Sequence, residues 1–263
     1  MNKRFAASLL LIFATLAAAQ QPADSSLKAE QQLQAWRNSR SAALMDDFGE
    51  LARYRKANAE LKATAAGENR VVFYGDSITD FWDLAKSFPQ KPYINRGISG
   101  QTTAQMLLRF RQDVVDLHPK AVVILAGTND ISGNTGPMSL EQIESNYASM
   151  ADIARVNDIR VIFSSVTPVN NYTKKSAVFY SLRPMKLIDA LNTWLRAYCA
   201  AHGDVYLDYY SAMIDSSGML KREYSEDGLH PNERGYSVMA PLAEAAIRTA
   251  LGGETAVKAK PGN

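Results

Sequence analysis

Four short stretches of this chain carry groups suited to acyl transfer: Gly75-Asp76-Ser77, Gly97-Ile98-Ser99-Gly100, Gly127-Thr128-Asn129-Asp130 and Asp227-Gly228-Leu229-His230. A serine hydroxyl is a weak nucleophile until a neighbouring base takes its proton, and imidazole titrates in the range that suits the task. Ser77 is the candidate nucleophile and His230 the candidate base. A carboxylate that fixes the imidazole tautomer and stabilises the imidazolium completes such a base. Asp227, three residues earlier, reaches back to His230 across a turn that Gly228 eases. Charge developing on the carbonyl oxygen needs N–H donors, each worth about 2.7–4 kcal/mol. The Ser77 and Gly100 backbone N–H groups and the Asn129 amide are the candidates, and Asp76 is expected to hold the turn beside the nucleophile.

Each stretch alone is weak, since a polar loop or turn accounts for it equally well. Their weight lies in joint occurrence at strand ends. Ser99 is a rival nucleophile but adjoins a glycine that reads as an oxyanion donor. His118 and His202 sit at expected helix ends, where an imidazole simply satisfies the last carbonyls. Two competing readings use the same edge. Asp76, Asp130, Asp227 and His230 are potential hard-metal ligands for a phosphoesterase, although a single candidate histidine and an oxyanion asparagine fit acyl transfer better. A non-catalytic carbohydrate-binding protein is the other, disfavoured by the full set of nucleophile, base and carboxylate.

Positioning these groups falls to alternating short apolar strands and longer amphipathic stretches, the pattern of βαβ units and a parallel sheet. Strands are predicted at Val71–Tyr74, Tyr93–Asn95, Ala121–Leu125, Arg160–Ser165 and Val205–Leu207, and helices at Thr103–Leu117, Leu140–Val156, Pro184–Ala201 and about Glu233–Leu251. Thr102 or Thr103 is placed to cap the first of these helices, and Ser139 with Gln142 forms a capping-box pattern before the second. The expected architecture is a three-layer α/β/α domain. With five parallel strands in the order 2-1-3-4-5, the loops after strands 1 and 3 meet at the switch point and the four stretches converge on one edge.

The chain has 263 residues, of which 46% are hydrophobic and 21% charged, enough for one buried core. Residues 1–19 read as a signal peptide: Lys3 and Arg4, the mainly apolar Phe5–Leu16, then Ala17-Ala18-Ala19. That apolar run is shorter than the roughly 20 residues of a membrane-spanning helix. Removing residues 1–19 leaves 27 basic and 27 acidic residues, so neither nucleic acid nor a stable membrane anchor is an expected partner. The expected location is periplasmic or extracellular. Cys199 is the only cysteine, which excludes an internal disulfide, a cysteine zinc site and acylation at the new N-terminus; it lies on an apolar helical face. The remaining boundaries are a helical extension over 20–69, the main domain over 70–251 and a disordered tail over 252–263.

The four stretches resemble the conserved blocks of the SGNH hydrolases, the GDSL esterase/lipase superfamily, across about residues 70–250. The resemblance implies Ser77 as nucleophile with Asp227 and His230 completing the triad, Ser77, Gly100 and Asn129 as oxyanion hole, a flavodoxin-like sheet, an acyl-serine intermediate, and no metal or organic cofactor. The run Gly-Asp-Ser-Ile-Thr-Asp-Phe-Trp at 75–82 further resembles secreted bacterial acylhydrolases similar to the platelet-activating-factor acetylhydrolase subunits. Short-chain carboxylic esters, among them acetyl esters of carbohydrates, are the expected substrates, with a lysophospholipase or thioesterase as the alternative. Candidate substrate contacts on the active edge are Phe81 and Trp82 after the nucleophile, and Val169, Asn170 and Tyr172 after the fourth strand. The stretch 168–184 reads as a polar loop, either a lid or carbohydrate platform or plain surface. Neither oligomeric state nor the role of the N-terminal helices follows from the residues.

Overall fold

The computed structural model describes residues 27–28 and 30–252. The expected signal segment 1–19 and the tail beyond Gly252 lie outside them. Five parallel strands, β1 (Val71–Gly75), β2 (Tyr93–Gly97), β3 (Ala121–Leu125), β4 (Arg160–Ser164) and β5 (Val205–Leu207), form one sheet in the order β2-β1-β3-β4-β5. This is the predicted topology. β1 and β3 are buried at every residue, as strands covered on both faces must be.

Period-two alternation divides the apolar side chains between two cores. Val72, Tyr74, Val122, Ile124, Val161 and Phe163 face one cluster. Val71, Phe73, Val123, Leu125 and Ile162 face the other. The first is covered by α5 (Thr103–Asp113), α7 (Leu140–Arg155) and α9 (Met185–His202) through residues such as Met106, Tyr147 and Leu191. The second is covered by α3 (Ser77–Asp80), α4 (Leu84–Ser87) and α11 (Glu233–Ala250) through Ile78, Leu84, Met239 and Ile247. Burying each large apolar side chain contributes about 1.5–3 kcal/mol, so the two cores fix the sheet against its helices and hold the strand ends still. Cys199 packs in the first core, and burial pushes its thiol up to about 12.

Local signals set most helix ends where the residues place them. Ser139 and Gln142 form the expected capping box on α7, and Thr102 with Gln105 forms one on α5. α5 stops at Asp113, where Val114 leaves helical backbone, and a single 3-10 turn at Val115–Leu117 follows; it ends at His118, which takes φ +50° before Pro119, a proline that disfavours right-handed helical backbone there. His202 ends α9 with its Nδ1 2.8 Å from the Tyr198 carbonyl, the structural role expected of it. The stretch 168–184 is not simply a loop. It holds α8 (Lys174–Ser181), capped by the Thr173 hydroxyl, which accepts from the Ser176 N–H. Two further short helices are α6 (Thr128–Ile131) and α10 (Tyr209–Met213).

Before β1, residues 30–46 form helix α1 and Arg55–Ala59 the short helix α2. Both are stitched to the main domain. The Tyr54 hydroxyl donates to the Gly97 carbonyl, and Asn58 donates to the Gln112 carbonyl and the Asp113 carboxylate at 3.0 and 2.7 Å.

Candidate active site

Four loops at the carboxyl ends of the strands bring Ser77, Gly100, Asn129 and His230 around one cavity of about 330 Å³. Ser77 is the first residue of α3, directly after β1. Asp76 caps that helix by accepting from the Ile78 N–H at 2.9 Å, the turn-holding role expected of it. As the first helical residue, Ser77 has a backbone N–H with no intrahelical acceptor, leaving that donor for a ligand.

The Ser77 hydroxyl lies 2.9 Å from Nε2 of His230, and His230 Nδ1 lies 2.8 Å from Oδ2 of Asp227. The other carboxylate oxygen of Asp227 accepts from the backbone N–H groups of His230 and Leu229 at 2.9 and 3.0 Å and from the Ser225 hydroxyl at 3.2 Å. Burial acts to raise the Asp227 pKa, but the hydrogen bonds from the His230 ring and backbone outweigh it and hold the carboxyl well below its usual range. Asp227 is thus an anion at neutral pH. Gly228 makes the tight return possible: its φ is +80°, and a Cβ there would fall 2.3 Å from the Ser176 Cβ. Asn232 then caps α11 by accepting from the Gly235 N–H, which anchors the loop on its far side.

Gly100 also has a left-handed backbone, with φ +82°. Asn129 lies in α6, immediately after β3, and donates one amide hydrogen to the Gln101 carbonyl at 3.0 Å, leaving the second for the cavity. Its side-chain oxygen is 3.4 Å from the Arg183 guanidinium. Arg183 is buried, and its other partners are the neutral oxygens of Thr128, Ser132 and Phe179. Burial pushes its pKa down to about 10 against the opposing pull of the Asp76 and Asp227 charges. Asp76 keeps one carboxylate oxygen buried with no partner among the described residues, and burial pushes its pKa up to about 6. A serine poised on an imidazole, an anion behind that imidazole and convergent N–H donors can together carry out nucleophilic acyl transfer.

The metal reading loses its ligands to other partners. Asp130 accepts from the N–H and hydroxyl of Thr103, and Asp227 is committed to His230. Among the described residues no group of three or more His, Cys, Asp or Glu is placed to hold a metal ion. Ser99 donates to the Asp80 carboxylate at 2.6 Å rather than facing a base.

Of the expected substrate contacts, only Phe81 lines the cavity, with its ring centroid 5.2 Å from that of His230. Trp82 turns into the core and stacks on Tyr236 at 5.1 Å, because one helical turn places it on the face of Ile78 while Phe81 shares the face of Ser77. Val169 is fully buried in the first core. Asn170 lies beneath the Asp227 turn, its N–H donating to the Gly228 carbonyl at 3.0 Å and its amide to the Leu220 carbonyl at 2.9 Å. The Tyr172 hydroxyl donates to Asp215. Asn170 supports the loop that carries His230, and none of the three lines the cavity. Its remaining walls come from Val178, Phe179 and Leu182 in and after α8, and from Leu33, Trp36 and Arg40 of α1. The half-buried positions of residues 31–46 are 33, 36, 37, 40 and 44, a helical stripe visible in the sequence whose target is not.

The GDSL-like lipase/acylhydrolase family model matches residues 73–238. The chain belongs to this family. The crystal structure of a GDSL-like lipase from Bacteroides thetaiotaomicron VPI-5482 is 40% identical with a TM-score of 0.71, covering 78% of this chain and 100% of that one. An acetylxylan esterase from Geobacillus stearothermophilus shares the fold at 19% identity and a TM-score of 0.56, over 71% of this chain and 96% of that one. An uncharacterized lipoprotein of Bacillus subtilis strain 168 is 30% identical over 147 residues, which are 47% of this chain and 60% of that protein. The match therefore spans less than two thirds of that curated relative's length. No helix among the described residues is long and apolar enough to cross a membrane.

Proposed function

We propose that the chain is a serine esterase that hydrolyses short-chain carboxylic esters, acetyl esters of carbohydrates among them, through an acyl-serine intermediate. The observation that carries this reading is the continuous relay from the Ser77 hydroxyl through His230 to Asp227, with links of 2.9 and 2.8 Å. His230 Nε2 takes the Ser77 proton as the oxygen attacks the ester carbonyl. The oxyanion is held by the Ser77 and Gly100 N–H groups and the Asn129 amide. The imidazolium returns the proton to the departing alcohol, leaving the acyl-serine. Water then gives a proton to the same imidazole, attacks the acyl carbon and releases the acid as Ser77 regains its hydrogen.

A cavity of about 330 Å³ is small for a binding pocket, which supports a short acyl group over a lysophospholipid or a long-chain thioester. The test is hydrolysis of p-nitrophenyl esters from acetate to palmitate beside the Ser77→Ala protein. Activity confined to short chains, and lost in a folded variant, is the expected result. Persistence of turnover in Ser77→Ala overturns the assignment.

Export accompanies this reading. It is supported by the basic start, apolar run and alanine triplet of residues 3–19 and by the lipoprotein relative. A cleaved, exported protein is the form proposed.

A further inference from the structure

Helix α1 lies outside the stretch matched by the family model, yet it walls the cavity. Its half-buried stripe is clamped to the two loops that carry the oxyanion donors. The Trp36 ring packs on Gly100 so closely that a Cβ there would fall 2.8 Å from it. The Arg40 guanidinium sits 5.0 Å from the Trp36 ring centroid, donates to the Ser99 carbonyl at 3.2 Å and pairs with Glu50 at 2.5 Å. Glu50 in turn accepts from Gln101, the residue whose carbonyl holds Asn129. On the other loop, Arg37 donates to the Gly133 carbonyl.

The reaction fixes which part of an ester meets this wall. The departing alcohol takes its proton from His230 and so lies on the imidazole side, between Phe81 and Phe179, whose ring centroids are 5.2 and 5.9 Å from that of His230. The carbonyl oxygen points at the N–H donors. The acyl substituent is left to run past Gly100 toward Leu33 and Trp36.

We infer that helix α1 is the acyl-length gauge of this enzyme, with Trp36 closing the slot and Leu33 setting its width, so that acyl groups from acetyl to butyryl are accepted and longer ones excluded. This rests on the esterase reading above. Arg40 and Arg37 are positioning residues that hold the gauge against the oxyanion loops.

Specificity constants of the full chain for p-nitrophenyl acetate, butyrate and octanoate test the inference. Trp36→Ala is expected to raise the octanoate-to-acetate ratio roughly tenfold or more, the scale on which a hydrophobic pocket discriminates by size. Leu33→Phe is expected to lower the butyrate-to-acetate ratio. Ratios cancel any loss of active protein, which a merely structural role would cause. Unchanged ratios in both variants, with Ser77-dependent hydrolysis intact, overturn the gauge and leave the esterase standing. Should Trp36→Ala fail to fold, Leu33→Phe decides alone: a narrowed profile supports the gauge and an unchanged one overturns it. A wild-type chain inactive on every ester overturns the esterase reading instead.

Discussion

The two edges of the sheet carry cavities of opposite character. At the carboxyl edge, about 330 Å³ are lined by Ser77, Asn129, Arg183 and His230 among apolar side chains. At the amino edge, a larger cavity of about 1060 Å³ is lined by Lys120, Arg155, Asp158, Arg160 and Asp204. In the larger one Asp204 is matched by Arg155 at 2.5 Å. At the smaller one the buried charges are less completely matched. Asp76, next to Ser77, keeps a buried oxygen with no partner among the described residues, and Arg183 hydrogen-bonds to neutral oxygens. Volume therefore says little about which edge works. Polar groups that the fold has desolvated and left incompletely matched mark the edge where reacting charge can be stabilised.

That contrast can be broken most severely at Asp227. Asp227→Asn keeps the shape of the relay but removes the anion behind His230, and kcat is expected to fall on the order of 10⁴-fold. Steady-state kinetics near neutral pH measure it, and a loss below tenfold means that the carboxylate does not orient the base.

A smaller effect, on stability, sharpens the distinction between satisfied and unsatisfied charge. The Asp76 carboxyl titrates near 6 in the fold against an ordinary 3.8. Below the ordinary value both folded and unfolded chains hold the proton. Between the two values the unfolded chain loses it first, so stability falls as pH rises, and above about 6 the penalty is constant. Asp76→Asn removes the ionisation. Its stability relative to wild type should climb between pH 4 and pH 6 and then level, by at most about 3 kcal/mol. Urea unfolding at successive pH values reads this, and a difference that stays flat would mean Asp76 is not strained by burial.

The smallest effect is expected at the amino edge. Arg160 is exposed there, and Arg160→Ala should leave kcat/KM unchanged and shift stability by no more than about 0.5 kcal/mol. A substantial loss of activity in that variant would erase the distinction between the edges.

Much of the carboxyl edge was legible before folding. Gly-Asp-Ser and the asparagine after β3 each follow a strand whose apolar run is continuous, and the strand-end rule brings them together; Asp-x-x-His lies in the long connection between β5 and α11. Side-chain direction was not legible. Trp82 follows Phe81 directly, yet one lies in the core and the other lines the cavity, because a short turn leaves no long period from which to read a face. Val169 and Asn170 sit after a strand end as expected, but Val169 packs into the first core and the Gly228 turn covers Asn170. Arg183 gave no signal, since an arginine beside a proline is ordinary surface until a tertiary neighbour removes its water.

What the sequence by itself determined is the set of reactive groups and their strand-end positions, because hydrophobic period and turn chemistry are local and set by adjacent residues. The tertiary structure alone decided what surrounds those groups. That Trp36 closes on Gly100, that Phe179 flanks His230 and that Arg183 loses its solvent are contacts across 50 or more residues, specified by packing between elements and by no pattern within any one of them.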